Sequence, residues 1–187
     1  ECLKSVFDVD YDNFSVVLVD NGSTDGTPDL VAKEFPQVHV ISLDQNLGVP
    51  AGYNVGSQYA LSNGADYILM LNNDDTRLSA CVGSCGLLMR RRAFEAAGLF
   101  DPGYFYWYDD WDFSERVRAH GLHIWNIPQA KMWHKVSRTI GINRSPLFWH
   151  TYGASMVRYY RRHGRPVWLA LPLDASYLIL REMFWKG

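Results

Sequence analysis

The chain has 187 residues and a formal net charge of −2, so it has no overall basic field and nucleic acid is not expected as a partner. Its three cysteines, Cys2, Cys81 and Cys85, fit neither a zinc-finger nor a secreted-scaffold spacing, and no signal-peptide pattern opens the chain. We therefore expect a reduced, cytoplasmic protein, large enough for one α/β domain plus an appendage.

Apolar runs alternate with helical segments along the chain. The predicted strands are Ser15 to Asp20, Val38 to Leu43, Tyr67 to Asn72 and His123 to Ile127, with a candidate short strand at Lys131 to His134. The predicted helices are ECLKSVF at the start, a segment from Thr27 that ends before Pro36, Ala51 to Leu61, Arg91 to Ala97 and Asp110 to His120. This alternation predicts a mostly parallel sheet flanked by helices.

The composition changes at Pro146, where aromatic and basic residues become frequent. We expect residues 1–145 to form the α/β domain and residues 146–187 a helical extension. The extension carries a basic cluster, consisting of Arg158, Arg161, Arg162, His163 and Arg165. Its apolar tail contains Pro172, Asp174, Arg181 and Glu182, which makes it a poor bilayer span. Two alternatives stay open, contact with an anionic membrane face and packing on the domain or on a second copy in a homodimer.

The segment VDNGSTDGT follows the first apolar run, which ends at Asp20. A carboxylate there can accept hydrogen bonds from a base or ribose, and backbone amides near the next helix start suit a diphosphate. Asn21, Gly22 and Ser23 extend this candidate nucleotide site, although an ordinary turn with a helix cap would also use such residues.

A second polar segment, NLGVPAGYNVG, places Gly48, Gly52 and Gly56 four residues apart. This spacing is neither a dinucleotide fingerprint nor a P-loop, and it favours close helix packing. We expect Asn46 and Asn54 to be the better candidates for ligand contact, with Gly52 allowing close approach to the backbone.

The segment LNNDDT at the end of the third apolar run offers hard oxygen ligands. Such oxygens suit Mn²⁺ or Mg²⁺ held jointly with phosphate. Asp74 is the first candidate ligand, and Asp75 and Asn72 come second, since either could instead serve the turn or orient Asp74. Asn73 is a further candidate for ligand contact. His134 could add a nitrogen ligand, but a single histidine is more often structural.

The segment YDDWD places Asp109, Asp110 and Asp112 at a predicted helix start, where the helix dipole favours ionised carboxylates. An ionised carboxylate there can accept a hydroxyl proton. Trp107 and Tyr108 precede the carboxylates, and such aromatic faces either bind sugars or belong to a core. Simple acidic capping would account for Asp109 or Asp112 alone.

Taken in order, these segments together with GSCGLLMRR, AGLFD and WHKVS resemble the family 2 inverting glycosyltransferases of the GT-A fold, a Rossmann-like nucleotide-diphospho-sugar transferase architecture. The resemblance runs from Glu1 to about Ser137 and is strongest to the rhamnosyl and galactofuranosyl transferases. It implies that Asp20 contacts the nucleotide and that Asp74, beside Asn72 or Asp75, binds the metal. His134 then matches the late metal-binding histidine of the family.

The resemblance also implies that Asp110 is the general base, with Asp109 where the family usually has glutamate. Ser84 and Cys85, with Trp107 and Tyr108, would lie near the acceptor. Two features depart from the family, because no strand precedes Glu1 and only Arg77 to Val82 separate the acidic segment from GSC. We expect that a first strand and a segment near residues 77–80 are missing from the sequence.

The predicted activity is transfer of a sugar, with dTDP-rhamnose or a UDP-sugar as favoured donor, to a saccharide or polyprenyl-linked acceptor. Two alternatives remain. A nucleotidyltransferase would share the architecture and the metal-bound diphosphate but would release pyrophosphate. A non-catalytic carbohydrate-binding or scaffold protein would explain the aromatic residues and the basic cluster but not NNDD.

Overall fold

The structure is a computed structural model that describes residues 2–71, 86–125, 127 and 146–168, with side chains of the last segment described from residue 150. In chain order its elements are α1 (Cys2–Phe7), β1 (Val17–Asp20), α2 (Thr27–Glu34), β2 (His39–Ser42), α3 (Val49–Ser62), β3 (Tyr67–Met70), β4 (Leu87–Arg90), α4 (Arg91–Ala97), α5 (Asp109–Ala119) and α6 (Pro146–Arg162). The predicted helices are confirmed to within two residues where both ends are described.

The strands form two pairs. β1 and β2 are parallel, with Val17 opposite His39 and Asp20 opposite Ser42, which confirms the predicted parallel pairing. β3 and β4 are antiparallel, with Tyr67 opposite Arg90. The strand β4 was not predicted, because Leu87–Arg90 runs directly into helix α4 and a four-residue apolar run beside a helix reads as part of it.

The predicted strand at His123 to Ile127 is wrong for the residues described there. His123, Ile124 and Trp125 have no regular structure after the end of α5, and Trp125 is 79% exposed. A partly apolar run therefore lacks the ladder partner that a strand requires. The candidate strand at Lys131 to His134 lies outside the described residues.

One hydrophobic core connects the antiparallel pair with α4 and α5. Phe100 and Phe113 stack with ring centroids 4.5 Å apart, and Phe94 lies 5.5 Å from Phe113. Met70 and Met89 supply the sheet face of this core. The core contains Phe113 and Val117 of α5 and therefore sets the direction of this helix and of its acidic first turn.

A second cluster joins α6 to the aromatic segment that precedes α5. Tyr104 and Tyr108 pack with Met156 and Tyr159 of α6, and all four are buried. Ser155 Oγ donates a hydrogen bond of 2.8 Å to the Tyr106 carbonyl. Helix α6 thus packs directly on the entry to α5, while the predicted division of the chain at residue 145 stays a prediction.

Most of the basic cluster on α6 is paired within the protein. Arg158 and Arg162 contact Asp101, and Arg165 contacts Glu115 at 2.7 Å. Since these pairs neutralise much of the local positive charge, less of it is available to an anionic partner. In the part of the chain that the structure describes, no helix is both long and apolar enough to cross a membrane.

The core of α5 provides a test of the fold. We expect Phe113→Ala to lower the free energy of unfolding by about 3–5 kcal/mol, because it empties the space between Phe94 and Phe100. Leu30→Ala on α2 is the control, since Leu30 is 55% exposed and its loss should change stability by at most about 0.5 kcal/mol. Urea denaturation measures both, and equal losses in the two variants would contradict the assigned core.

Candidate active site

The first site loop begins where β1 ends at Asp20, which is 7% exposed. Its Oδ2 accepts a hydrogen bond of 3.1 Å from the Ser23 backbone N–H. Gly22 has φ +78°, and a Cβ added there would lie 2.7 Å from the carbonyl carbon of Gln45. The loop is therefore folded tightly around Asp20, with a glycine where the neighbouring backbone leaves no room.

Asn21 joins this loop to the start of α3. Its Nδ2 donates to the Gly48 carbonyl at 2.9 Å, and its Oδ1 accepts from the Leu47 N–H at 2.9 Å. Asn46 Oδ1 accepts from the Gly48 N–H at 2.9 Å, and a Cβ added at Gly52 would lie 3.6 Å from Asn21 Nδ2. Asn21 thus holds two loops together, Asn46 stabilises the turn into α3, and Gly52 leaves room beside Asn21. The contact of these three residues with a nucleotide sugar stays a prediction.

Gly48 connects these loops to the aromatic segment before α5. It has φ +88°, and a Cβ there would lie 2.7 Å from the Phe105 carbonyl oxygen. The adjacent Val49 N–H donates to that same carbonyl at 2.9 Å. The residues near Asp20 and those just before Asp109 are therefore connected through two backbone contacts. Sequence analysis missed Phe105, because a carbonyl group leaves no side-chain signal.

Asn54 has a positional role in the structure. Its Nδ2 donates to the Phe100 carbonyl at 2.8 Å, and its Oδ1 accepts from the Phe100 N–H at 2.9 Å. The side chain thus ties α3 to the segment that leads into the aromatic residues. Its predicted contact with a nucleotide sugar remains a prediction.

The acidic helix start has the predicted form. Asp109, Asp110 and Asp112 all lie in the first turn of α5, where the helix dipole favours negative charge. The turn is entered through Trp107 and Tyr108, whose φ values are +73° and +65°. Left-handed backbone at two successive non-glycine residues is strained and must be held by surrounding contacts.

Asp109 and Asp110 have different surroundings. Asp109 is 4% exposed, and its Oδ2 is buried with no hydrogen-bond partner among the described residues. Burial, and next the negative charge of Asp110, raises the pKa of Asp109 to about 7. Asp110 is half-buried, and its Oδ1 accepts the Trp111 N–H at 2.8 Å. Two adjacent carboxylates with such different environments are typical of acid–base sites.

The aromatic residues divide into a buried and an exposed group. Tyr108 is 7% exposed, packs on Tyr159 with centroids 5.3 Å apart, and its hydroxyl lies 3.1 Å from that of Tyr152. Trp107 is half-buried against Tyr152. Trp111, next to Asp110, is 50% exposed. The predicted acceptor contacts of Trp107 and Tyr108 stay predictions, and Trp111 is an accessible aromatic face that the sequence analysis did not single out.

Several predicted site residues lie outside the described residues. They are Asn72, Asn73, Asp74, Asp75, Ser84, Cys85 and His134. Among the residues that are described, no group of three or more His, Cys, Asp or Glu side chains is placed to hold a metal ion. The metal site therefore stays a prediction.

A concavity of about 720 Å³ lies along α6 rather than at the acidic helix start. It is lined by one helix, including His150, Gly153 and Arg161. Neither the Asp20 loop nor the carboxylate pair contributes to it, so we do not assign it to the candidate active site. The site is defined instead by the connection between the Asp20 loop and α5.

Residues 1–149 match the family model described as glycosyl transferase family 2. The chain is also similar to the dTDP-rhamnosyl transferase RfbF of Shigella flexneri, with 26% identity over 129 residues. That match covers 69% of this chain and 39% of the relative, so the chain spans about two fifths of the relative's length.

The chain belongs to glycosyl transferase family 2 and has the GT-A fold of that family. This membership confirms the family resemblance drawn from the ordered motifs, and it agrees with the observed α/β architecture. It also places the acidic start of α5 within a glycosyltransferase domain.

Gly22 and Gly26 have nearly the same φ but different surroundings. Comparing their alanine variants therefore separates the cost of backbone strain from the cost of a steric clash. Gly22 (φ +78°) faces the Gln45 backbone, whereas Gly26 (φ +80°) has no heavy atom within 4 Å of an added Cβ. We expect Gly26→Ala to lower the unfolding free energy by about 1–2 kcal/mol and Gly22→Ala by clearly more. Urea denaturation tests this, and equal effects would show that the loop is looser than described.

The pKa of Asp109 predicts a pH-dependent stability. Its ordinary value is 3.8 and its folded value is about 7, so between these pH values the unfolded chain releases a proton that the folded chain keeps. The free energy of unfolding should therefore fall as pH rises from about 4 to about 7. The fall is roughly 4 kcal/mol, at about 1.4 kcal/mol per pKa unit, and above about pH 7 the contribution of Asp109 no longer changes with pH. Asp109→Asn should remove this fall, as measured by urea denaturation across the range.

Asp101→Asn is the control, because Asp101 makes stability depend on pH in the opposite direction to Asp109. Burial opposes ionisation of Asp101, but hydrogen bonds from the Gly103 N–H and from Arg158 outweigh it and hold the pKa of Asp101 below its ordinary value. Its contribution is present above pH 4 and is lost in more acidic solution, so this variant should be destabilised at neutral pH. An Asp109→Asn variant with the wild-type pH dependence would show that Asp109 titrates normally.

Proposed function

We propose that this protein is an inverting glycosyltransferase that moves a sugar from a nucleoside-diphosphate sugar to a hydroxyl of a saccharide or lipid-linked acceptor in cell-surface polysaccharide synthesis. The observation that carries this proposal is the acidic pair Asp109–Asp110 at the start of α5, joined through Phe105 and Gly48 to the loop after Asp20. Family membership supports sugar transfer as the reaction.

In this proposal Asp110 is the general base. It takes the proton from the acceptor hydroxyl while that oxygen forms a bond to the anomeric carbon of the donor. The bond from the anomeric carbon to the diphosphate oxygen breaks on the opposite face, and the nucleoside diphosphate leaves with the electron pair. A single displacement inverts the configuration and needs no covalent intermediate with the protein.

The surroundings of the two carboxylates support this choice of base. Near pH 7 a large fraction of Asp109 keeps its proton, because burial and the charge of Asp110 oppose its ionisation. The half-buried Asp110 is accessible and lies at the positive end of a helix. Asp109 then has a supporting role, in which its neutral form limits the negative charge beside the base.

The donor nucleotide is assigned to the other side of the site. Asp20 would accept hydrogen bonds from the base or ribose, and Asn21, Gly22 and Ser23 would continue this contact. We further propose Asn46, Gly52, Asn54, Asn72 and Asn73 as neighbours of the nucleotide sugar. The tight packing of Gly22 on Gln45 supports a rigid loop, which lowers the entropy that binding must overcome.

We propose a divalent metal, Mn²⁺ or Mg²⁺, held by Asp74, Asp75 and His134. When bound, such an ion would offset the charge that develops on the leaving diphosphate. The oxygen-rich ligand set supports a hard cation, and the histidine favours Mn²⁺ over Mg²⁺.

The similarity to a dTDP-rhamnosyl transferase supports dTDP-rhamnose as the first donor to test, followed by UDP-sugars. Ser84, Cys85, Trp107 and Tyr108 are proposed for the acceptor side. Trp111 joins them, because its exposed ring lies next to Asp110 and apolar sugar faces stack on such rings. A lipid-linked acceptor would bring the protein to the inner face of the cytoplasmic membrane, with residues 158–187 as the proposed contact. The alternative role for this segment is contact between two copies in a homodimer.

Product analysis with a donor panel tests the function. The purified protein is supplied with dTDP-rhamnose, UDP-galactose, UDP-glucose or UDP-N-acetylglucosamine, a lipid-linked saccharide extract and Mn²⁺. We expect nucleoside diphosphate from one donor, loss of release on chelation, and a decrease in kcat of at least about 100-fold in Asp110→Asn. Asp29→Asn, an exposed carboxylate in the first turn of α2, is the matched control and should keep wild-type activity.

The same assay separates the alternatives. Pyrophosphate from a nucleoside triphosphate and sugar phosphate would support a nucleotidyltransferase. Donor binding without release of any product would support a carbohydrate-binding or scaffold protein. Near-normal transfer by Asp110→Asn would show that another group is the base.

A further inference from the structure

We propose that His163 and Arg162, at the end of α6, are positioning residues that hold the Asp109–Asp110 pair in place through Asp112. This inference rests on the proposed function, because it assigns these residues to the alignment of the proposed base. It gives the α6 end a task that neither the family motifs nor the basic composition of the segment indicates.

Asp112 is the centre of the contact. Its side chain is fully buried, and it accepts contacts from Arg116 Nε at 2.8 Å, Arg162 Nε at 3.1 Å and His163 Nε2 at 3.0 Å. The Tyr104 hydroxyl lies 3.4 Å from its Oδ1. A buried carboxylate needs such partners, since removing one leaves an uncompensated charge away from water.

Three of these partners come from outside α5, and two of the three, Arg162 and His163, come from the end of α6. Arg116 lies one turn further along the same helix, and its guanidinium also donates to the Ala97 carbonyl at the end of α4, so it holds α5 on α4 rather than on α6. Arg162 and His163 belong to the end of α6, and Arg162 also contacts Asp101. Asp112 is therefore the buried charged contact through which the end of α6 holds the first turn of α5, beside the packing of Trp111 on Tyr159.

The base lies in that same turn. Asp110 and Asp112 are two residues apart, and the Asp112 N–H donates to the Tyr108 carbonyl at 2.9 Å. Because a helical turn moves as a unit, a shift of Asp112 displaces Asp109 and Asp110 with it. The turn is entered through the strained residues Trp107 and Tyr108, and the Tyr106 carbonyl just before them accepts a hydrogen bond from Ser155 of α6.

His163 fits this role by its contacts. Its ring is 4.7 Å from that of Tyr159, and its side chain is 17% exposed. The ring is thus held on one face by α6 while Nε2 contacts the carboxylate. Neutral imidazole can donate this hydrogen bond with its Nε2 proton, so the contact needs no charge on His163.

The expected effect of losing the contact between His163 and Asp112 follows from the geometry of the first turn. A displacement of the base by a fraction of an ångström to 1 Å can lower a catalytic rate by about 10- to 100-fold. The nucleotide would remain bound, because the Asp20 loop is held by Asn21 and Gly48 instead. The expected result is therefore a loss of kcat with little change in the donor KM.

Three variants test the proposal. His163→Ala removes the contact, His163→Gln keeps an amide N–H near the position of Nε2, and an exposed arginine outside the proposed sites serves as the control. The control for activity is Arg118→Ala, which removes an exposed arginine in the last turn of α5 that has no proposed role. With the donor that the wild type uses in the panel above, we expect kcat to decrease about 10- to 100-fold in His163→Ala, to recover most of this loss in His163→Gln, and to stay unchanged in Arg118→Ala. Unchanged kcat in His163→Ala, or equal loss in His163→Ala and His163→Gln, would overturn the proposal.

A second measurement does not depend on turnover. The titration of the Asp109 carboxyl carbon is followed by NMR in the wild type and in His163→Ala, at a temperature where both are folded. Displacement of the first turn should expose Asp109 and move its midpoint down by about one pH unit or more toward its ordinary range. An unchanged midpoint would overturn the positioning role, even if the wild type transfers no sugar from any donor and the proposed function fails.

Discussion

The contact between Gly48 and Phe105 is the constraint on which the candidate site depends. A glycine with a left-handed backbone lets the Phe105 carbonyl approach to a distance that any other residue would block. Because Asn21 grips the same glycine from the other side, the strand-end carboxylate and the acidic helix become parts of one rigid unit. The separation of the two halves of the site is thus set by the main-chain contacts of Gly48 and Val49 with Phe105 together with the hydrogen bonds of the Asn21 side chain.

The aromatic segment between Gly103 and Asp109 depends on this contact on one side and on α6 on the other. Its two left-handed residues, Trp107 and Tyr108, would relax to ordinary backbone angles if they were not packed. Tyr159 and Met156 pack on Tyr108, and the ion pair between buried Asp112 and Arg162 connects α6 to the helix that follows this segment. Helix α6 therefore supports the candidate site by packing against it, although its composition suggested a separate extension.

The sequence predicted the features that depend on local patterns. The parallel pair β1–β2, the helices from Thr27 and Arg91, and the acidic first turn of α5 all follow from apolar periodicity, proline and glycine signals, or helix capping, and the structure contains them. The family followed from the order of the motifs, since no single motif was specific. Strand β4 was missed because its pairing with β3 is set by tertiary contact rather than by its own four residues.

The contacts that assemble the site could not be read from the sequence for a similar reason. A carbonyl acceptor such as that of Phe105 has no residue-type signature, and the pairing of Asp112 with Arg162 and His163 joins residues about fifty positions apart. Composition also does not reveal that the basic cluster pairs with Asp101, Asp112 and Glu115 within the protein. Asn54 likewise has a polar side chain that serves a distant backbone segment.

The proton on Asp109 has a consequence for the proposed binding of a nucleoside-diphosphate sugar. Such a sugar is an anion, and each ionised carboxylate near it repels it by an amount that grows as water is excluded. With a pKa of about 7, Asp109 is close to half neutral at physiological pH, so the acidic start of α5 carries less negative charge than its sequence suggests. In the proposed function, mild acidification would therefore favour binding of the donor, whereas the proposed base Asp110 has to stay ionised. The proposed donor binding and the proposed proton removal thus favour opposite ends of the pH range.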